Sequence, residues 1–270
     1  MHPLWSSLPA PELRPYVRAF AQRKLDPNKP SLVEIVPAQL EQVLNFELGP
    51  LPGVRHRLYD VSSAAWIGGA QTTFPGTMDL RPGAETFAIF FQPLGWSQLF
   101  GIPAETITNH IFDATLLMGR SVHDLWNALG EAASFELRVS MSENFLRDRL
   151  FRIRGDCRMT TAATQIFEAR GALRISSLAR QQMMSLRQFE REFHRSIGTT
   201  PKTFARVARF QAALDAKLAA PRRSWLEIAH FFGYHDQMHM VHDFHALSQS
   251  APNHLIEQMG DVRPPALASA

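Results

Sequence analysis

The spacing of the apolar residues changes once along this chain of 270 residues, and that change limits the possible folds more than any other feature. Before about residue 92, apolar and aromatic residues stand in short runs that are separated by Gly and Pro. From about residue 120 onward they recur at every third or fourth position, as they do on one face of a helix. A strand pattern followed by a helical pattern predicts an α+β chain of two parts.

Residues 31–92 predict a small β domain. Three runs rich in β-branched and aromatic residues indicate strands at 33–36, 42–48 and 86–91. The Gly/Pro pairs between them indicate turns and favour a small sandwich or barrel. Four aromatic residues in and just after this part are candidates either for an effector pocket or for the core: Trp66, Trp96, Phe46 and Phe90.

Two segments near 121–130 and 135–151 have the apolar spacing of helices. Their apolar residues include Leu125, Trp126, Leu129, Leu146 and Leu150. This surface either pairs two copies of the chain or packs on the chain's own β domain, and the sequence leaves both open. Gly155-Asp156 marks the predicted boundary, so we assign 1–154 to a regulatory and dimerisation domain and 155–262 to a second domain.

Beyond that boundary the chain predicts only helices, and each has a start signal. Ser185-Leu186-Arg187-Gln188 and Ser224-Trp225-Leu226-Glu227 match the capping box, and Thr200 before Pro201 is typical of another helix start.

The helix that begins at Ser185 has two contrasting sides. Leu186, Phe189, Phe193 and Ile197 fall on one stripe, and a row of arginines occupies the opposite side: Arg187, Arg191 and Arg195. Taken alone, it fits either a helix that enters the major groove or an ordinary helix with a solvated basic face.

The neighbouring segments favour the first reading. A short helix at 175–180 and a turn precede the basic helix, which is the arrangement of a helix-turn-helix. A long amphipathic helix at 201–219 follows. Residues 225–234 then repeat the short helix and turn, with Gly233 at its end, and 235–247 is a second candidate recognition helix.

With these positions in place, residues 160–258 resemble the AraC family of bacterial regulators. The resemblance rests on Leu178, Ala179, Ser185, Arg191, Phe193, Gly198, Pro201, Phe204, Arg209, Ile228, Ala229, Phe232, Gly233, Tyr234, Asp236, Gln237, His239, Phe244 and Pro252. It implies an all-α domain with two helix-turn-helix units, a cupin-like β domain before it, and sequence-specific DNA binding in transcription regulation. The strings at 66–72, 91–96 and 100–103 are similar to the sensory halves of such regulators and imply no particular ligand.

The resemblance also implies which residues touch DNA. In the first unit they are Arg187, Gln188, Glu190 and Arg191, with Arg195 and Lys202 at phosphates. In the second unit they are Gln237, Met238, His239 and His242. The partners expected are promoter or operator DNA and a second copy of the chain, with a small-molecule effector and RNA polymerase as further candidates. Neither a cofactor nor a membrane is expected.

Charge distinguishes the two units. Residues 156–259 contain 13 Lys or Arg and 9 Asp or Glu, a net charge of +4, and the remainder contains 15 and 16, a net charge of −1. Residues 185–223 have 9 basic and 3 acidic residues, whereas 224–259 have no Lys or Arg and 4 acidic residues. Histidine stands at 242 and 245, where the family usually has a basic residue. The second unit is therefore expected to bind DNA weakly near neutral pH, and a regulator that acts mainly through protein contacts is the alternative function.

Six histidines in 224–259 raise the question of a metal. His235, His239 and His242 fall within one strip of a helical wheel, a spacing that can suit zinc or nickel. Against this, Asp236 as N-cap would put His235 outside the helix, and the same strip is where the resemblance places groove-facing residues. DNA contact or plain exposure is therefore the preferred interpretation.

Other classes of function find little support. There is no phosphate-binding Gly loop, no nucleophile elbow and no paired His motif with glutamate, so we expect no enzyme. One cysteine, Cys157, excludes a disulfide framework. The N-terminus lacks the basic start and apolar stretch of a signal peptide, which favours a cytoplasmic protein.

Overall fold

The computed structural model describes residues 4–50, 53–56, 60–61, 63–151 and 158–259. Within them, residues 4–151 are here called the N-terminal region and residues 158–259 the C-terminal region. The predicted boundary at Gly155-Asp156 and the lone Cys157 lie outside the described residues. No described helix is long and apolar enough to cross a membrane.

Two antiparallel sheets form the β part of the N-terminal region. Its strands are β1 (Leu4–Ser7), β2 (Val17–Lys24), β3 (Leu32–Val36), β4 (Gln42–Glu47), β5 (Gly53–His56), β6 (Asp60–Val61), β7 (Ala65–Gly68), β8 (Gly76–Leu80), β9 (Glu85–Phe91) and β10 (Ile111–Asp113). One sheet has the order β1-β2-β9-β4-β7-β10 and the other the order β3-β8-β5-β6. The predicted small β domain is confirmed, and its strands are antiparallel.

Alternation along β9 shows how the larger sheet uses its two faces. Phe87, Ile89 and Phe91 are buried in an apolar core, whereas Ala88 and Phe90 line a cavity between the sheets. Successive side chains of a strand point to opposite faces, so the sheet has one helix-covered face and one cavity face.

Five helices follow or interrupt these strands. They are α1 (Gly95–Phe100), α2 (Ala104–Ile107), α3 (Ala114–Met118), α4 (Arg120–Glu131) and α5 (Phe135–Leu150). Leu125, Leu129 and Leu146 are buried in the same core as the sheet, and the Trp126 indole N–H donates to the Glu47 carbonyl at 2.8 Å. Of the two readings of this apolar surface, packing on the chain's own β domain accounts for these residues.

Seven helices make up the described C-terminal region. They are α6 (Arg158–Glu168), α7 (Ile175–Gln181), α8 (Leu186–Ile197), α9 (Pro201–Ala219), α10 (Trp225–Phe231), α11 (Gln237–Ser248) and α12 (Pro252–Met259). Ser185, Thr200, Ser224 and Asp236 each accept a backbone N–H as the N-cap of the following helix. The predicted helix starts are therefore confirmed.

One member of the predicted apolar stripe on α8 differs. Phe189, Phe193 and Ile197 are buried, but Leu186 is 45% exposed. It is the first residue of α8, where the turn from α7 leaves its side chain at the edge of the core.

A short segment after β3 joins the two regions. The Ala38 N–H donates to the Leu247 carbonyl of α11 at 2.9 Å, and the Leu40 N–H donates to Oε1 of Gln211 on α9 at 3.0 Å. Gln211 in turn donates through Nε2 to Glu41. Ala38 and Leu40 also belong to the C-terminal region's apolar core. The segment after β3 therefore packs against the helices of the C-terminal region.

Candidate nucleic-acid interface

The first unit, α7 and α8, is built on buried apolar residues with a tight turn between the helices. Leu178 and Ala179 on α7 pack in one core with Phe189 and Phe193 on α8. In the turn, the Met184 N–H donates to the Ala179 carbonyl at 3.0 Å. This holds α8 against α7 with its polar side turned outward, which is the geometry of a helix-turn-helix.

The outward side of α8 carries the predicted DNA contacts. Arg187, Gln188, Glu190, Arg191 and Arg195 are all exposed. A row of guanidinium groups on an accessible helix can bind guanine edges or phosphates in two-point contacts.

Glu192, which the sequence did not single out, forms ion pairs with two arginines of this row. Its carboxylate lies 2.6 Å from the Arg195 guanidinium and 3.6 Å from that of Arg191. Both arginine side chains are 74% exposed, so these pairs contribute little to stability and can be exchanged for phosphate contacts. Lys202 is exposed on the first turn of α9, next to the C-terminal end of α8.

The second unit, α10 and α11, has a complete capping box at its start. Ser224 and Glu227 bond reciprocally, and the Ser224 backbone N–H lowers the pKa of the Glu227 carboxyl. Gly233, with φ of 70°, follows α10 in the left-handed conformation that glycine adopts without strain. The turn therefore forms as predicted.

Helix α11 exposes the other predicted contacts. Gln237, Met238, His239 and His242 are exposed, whereas Met240 and Phe244 are buried on the opposite side. His235 precedes the helix, as expected from the cap at Asp236. The His239 backbone N–H donates to that carboxylate at 2.7 Å and lowers the pKa of Asp236.

Counting acidic residues along the sequence overstates the negative charge of the second unit's surface. Asp243 is 4% exposed, and its carboxylate accepts from Nε of Arg206 on α9 at 2.6 Å. This pair lies between α11 and α9, where it fixes their packing. The remaining acids include Glu227 and Asp236, whose carboxylates face the first turns of α10 and α11.

The histidines do not gather around a common point. Among the described residues no group of three or more His, Cys, Asp or Glu side chains could hold a metal ion. His235 instead lies 3.1 Å from Asp236, and the His239 ring packs edge-on against Tyr234 at 5.6 Å.

A cavity of about 170 Å³ lies between the two sheets of the N-terminal region. Of the four aromatic candidates, Trp66 and Phe90 line it, whereas Phe46 and Trp96 are fully buried in the helix-covered core. Met259, the last residue of α12, also forms part of its wall. The cavity therefore touches both regions of the chain.

Residues 178–258 match the helix-turn-helix domain family, and the C-terminal region is a helix-turn-helix domain of the AraC type. No curated protein matches the sequence.

Three solved structures of ToxT from Vibrio cholerae have a similar fold. The apo form from strain SCE256 shares 8% identity, with a TM-score of 0.53 over 88% of this chain and 97% of that one. The O395 protein bound to (E)-4-(8-methylnaphthalen-1-yl)but-3-enoic acid gives 8% and 0.52 over 96% and 98%. The strain SCE256 protein bound to an unsaturated fatty acid gives 8% and 0.51 over 88% and 95%. These likenesses extend the shared fold to the N-terminal β region.

Proposed function

We propose that this chain, whose C-terminal region is an AraC-type double helix-turn-helix, regulates transcription by binding specific DNA sequences in response to a small molecule. The observation that carries the proposal is the exposed row on α8, where Arg187, Arg191 and Arg195 project from a helix seated on a buried apolar face. Residues 1–154 would form the regulatory domain and 155–262 the DNA-binding domain of a cytoplasmic protein. A second copy of the chain and RNA polymerase are the further partners that we expect.

Arg191 and Arg195 are assigned different tasks. Arg191 and its neighbours Arg187, Gln188 and Glu190 would read bases, because they occupy the first half of α8. Arg195 and Lys202 would bind phosphates. Phosphate contacts position a protein on DNA and base contacts specify the sequence, so the two kinds of residue are separable by experiment.

The test starts with selection of bound sequences from a random duplex pool by the full chain. On the selected site, Arg191→Ala should weaken binding by about 1–3 kcal/mol and relax the sequence preference, whereas Arg195→Ala should weaken all duplexes about equally. Arg120→Ala is the matched control, since Arg120 is an exposed arginine on α4 whose side chain is 92% exposed. If Arg191→Ala leaves the preference of the chain unchanged, α8 is not the reading helix.

The response to an effector would pass through β3. Glu34, Ile35 and Val36 line the cavity, and the chain continues from them directly into Ala38 and Leu40, which hydrogen-bond α11 and α9. A molecule that moves β3 would therefore shift α9 and α11. Two of the ToxT structures of this fold hold a small molecule, an unsaturated fatty acid or a butenoic acid, which supports a small-molecule effector for this chain.

A second candidate function is a regulator that acts mainly through protein contacts. The absence of Lys and Arg from residues 224–259 favours it, because phosphate neutralisation supplies much of the affinity for DNA. In that case the second unit would add nothing to binding. A duplex with only the sequence selected by the first unit would then bind as tightly as the full site.

A further inference from the structure

Two charged side chains of opposite sign line the described wall of the cavity between the sheets, and they are paired with each other. Among the described residues that line it, only Arg23 and Glu34 are charged. Arg23 on β2 donates through Nη1 to both Glu34 oxygens, at 2.6 and 2.8 Å, and so joins one sheet to the other. The two side chains are 15% and 4% exposed.

This pairing decides which charge a ligand can bring. An anionic ligand would leave two buried anions for one cation, and a cationic ligand would leave two cations for one anion. Burying an uncompensated charge is expensive, and it is avoided by excluding the charged molecule or by neutralising a group. The lining therefore favours an uncharged ligand.

The remaining wall indicates size and shape. A volume of about 170 Å³ is close to the ~150 Å³ of an engineered apolar cavity that binds benzene. Trp66 and Phe90 present aromatic rings from the larger sheet, and Val43, Met78 and Met259 add apolar surface. Aromatic rings pack favourably against one another when offset or edge-on, so a single ring with a small substituent fits.

Among the described residues that line the cavity, Gln22 and Gln71 each have a buried amide oxygen without a partner. Gln22 donates to Glu85 on the helix-covered side of the larger sheet, which leaves Gln71 for the cavity. Gln71 is 4% exposed, and its Nε2 donates to the carbonyls of Gly69 and His110 at 3.1 and 3.4 Å. These two bonds fix the amide orientation, because the reverse orientation would bring its oxygen against two carbonyls. Its Oε1 is buried with no hydrogen-bond partner among the described residues, and a buried acceptor without a donor is destabilising.

We infer that this cavity binds an uncharged molecule of about one aromatic ring, with a hydroxyl or N–H that donates to Gln71. The inference rests on the effector role proposed for the N-terminal region and names the chemical class of that effector. Since Ile35, Val36 and Met259 belong to the wall, such a molecule would contact both β3 and α12.

Three probes of similar shape test the inference by calorimetry on the full chain at pH 7. These are p-cresol, which has a donor, toluene, which has none, and 4-methylbenzoate, which is ionised. We expect p-cresol to bind roughly 5-fold more tightly than toluene, in line with one net hydrogen bond. We expect 4-methylbenzoate to bind at least 10-fold more weakly than p-cresol. Equal binding of the benzoate, or no binding of any probe, would overturn the inference.

Two variants locate the binding. Gln71→Met should remove the preference for p-cresol over toluene while toluene still binds, which also shows that the cavity has kept its form. Ala88→Leu should fill the cavity and abolish binding of both, whereas Val33→Leu should change neither, because Val33 is 63% exposed on the outer side of β3. Binding of p-cresol that survives Ala88→Leu would place it elsewhere and refute the assignment. DNA binding is measured in a separate experiment. A failure of the proposed function would therefore not change the interpretation of the ligand-binding results.

Discussion

Glu47 is buried at the end of β4, and replacing it should change how stability depends on pH. The side chain is 1% exposed, and burial raises its pKa to about 8 even though the Trp66 indole N–H donates to Oε1 at 3.0 Å. The Asn45 amide donates to the same oxygen, and Oε2 has no partner among the described residues. The carboxyl is therefore protonated in the folded chain at neutral pH.

The sign and size follow from proton binding. The native state holds a proton on Glu47 that the unfolded chain releases near pH 4.5. The stabilisation that this proton gives is therefore fully present below about pH 4.5. It decreases as the pH rises and is lost above about pH 8. Each pH unit in this window is worth about 1.4 kcal/mol, so the loss between pH 5.5 and 7.5 is about 2.5 kcal/mol. Glu47→Gln keeps the acceptor oxygen for Trp66 and Asn45 but cannot release a proton.

The assay is thermal or urea unfolding of the wild-type chain and Glu47→Gln at pH 5.5 and 7.5. The stability of the variant relative to wild type should rise by about 2.5 kcal/mol between the two pH values. Glu136→Gln is the matched control, since Glu136 is exposed on α5 and its relative stability should not change with pH in this window. Equal pH dependence of Glu47→Gln and wild type would show that Glu47 is ionised in the fold and that burial does not raise its pKa.

Three further predictions concern the C-terminal region and self-association. Arg206→Ala should destabilise the chain by about 2 kcal/mol in urea unfolding, because it leaves the buried Asp243 carboxylate unpaired; no loss would mean that the pair is immaterial. Binding of the full DNA site should tighten by roughly 5-fold from pH 7.5 to 6.0, because phosphate favours charged imidazole. The double variant His239→Gln/His242→Gln should lose this gain, and a variant that kept it would exclude these residues as its source. Sedimentation at tens of micromolar should show a dimer that Leu137→Glu weakens, since Leu137 is 43% exposed on α5; a wild-type monomer would rule the dimer out.

The C-terminal region could be predicted in detail because its signals are local. Ser224 and Glu227 lie three residues apart, and the stripe on α8 follows helical spacing through Phe189 and Phe193. A capping residue and an apolar stripe specify a helix without reference to distant parts of the chain. The same local spacing puts Arg187, Arg191 and Arg195 on the outward side of α8, whereas their assignment to DNA contacts comes from the resemblance to the AraC family.

Features that depend on distant partners could not be predicted. The sequence cannot show that Gln211 meets Leu40, since 171 positions separate them. A count of acidic residues treats Asp243 as surface charge, although Arg206 neutralises it inside the domain. In each case the missing information is which faces of two elements pack together.

The β region falls between these cases. Strands rich in aromatic residues are evident in the sequence, but alternation alone does not show that Trp66 and Phe90 face the cavity while Phe46 faces the helices. Strand β2 is not predicted because Arg18 and Arg23 interrupt its apolar residues, and both are paired with buried glutamates. Charged residues on a buried strand are rarely foreseen from sequence.

The salt dependence of DNA binding by the full chain tests directly whether its helix-turn-helix region binds DNA. The measurement is fluorescence anisotropy of the selected duplex, and of a random duplex, from about 50 to 200 mM salt, a range over which several phosphate contacts cost on the order of 10³-fold in affinity. We predict a linear fall of log affinity with log salt for both duplexes, tighter binding of the selected duplex, and a slope reduced by about one for Arg195→Ala. Binding that is absent at low salt, or that does not respond to salt, would contradict the proposed function and leave the helix-turn-helix region as a protein-binding module.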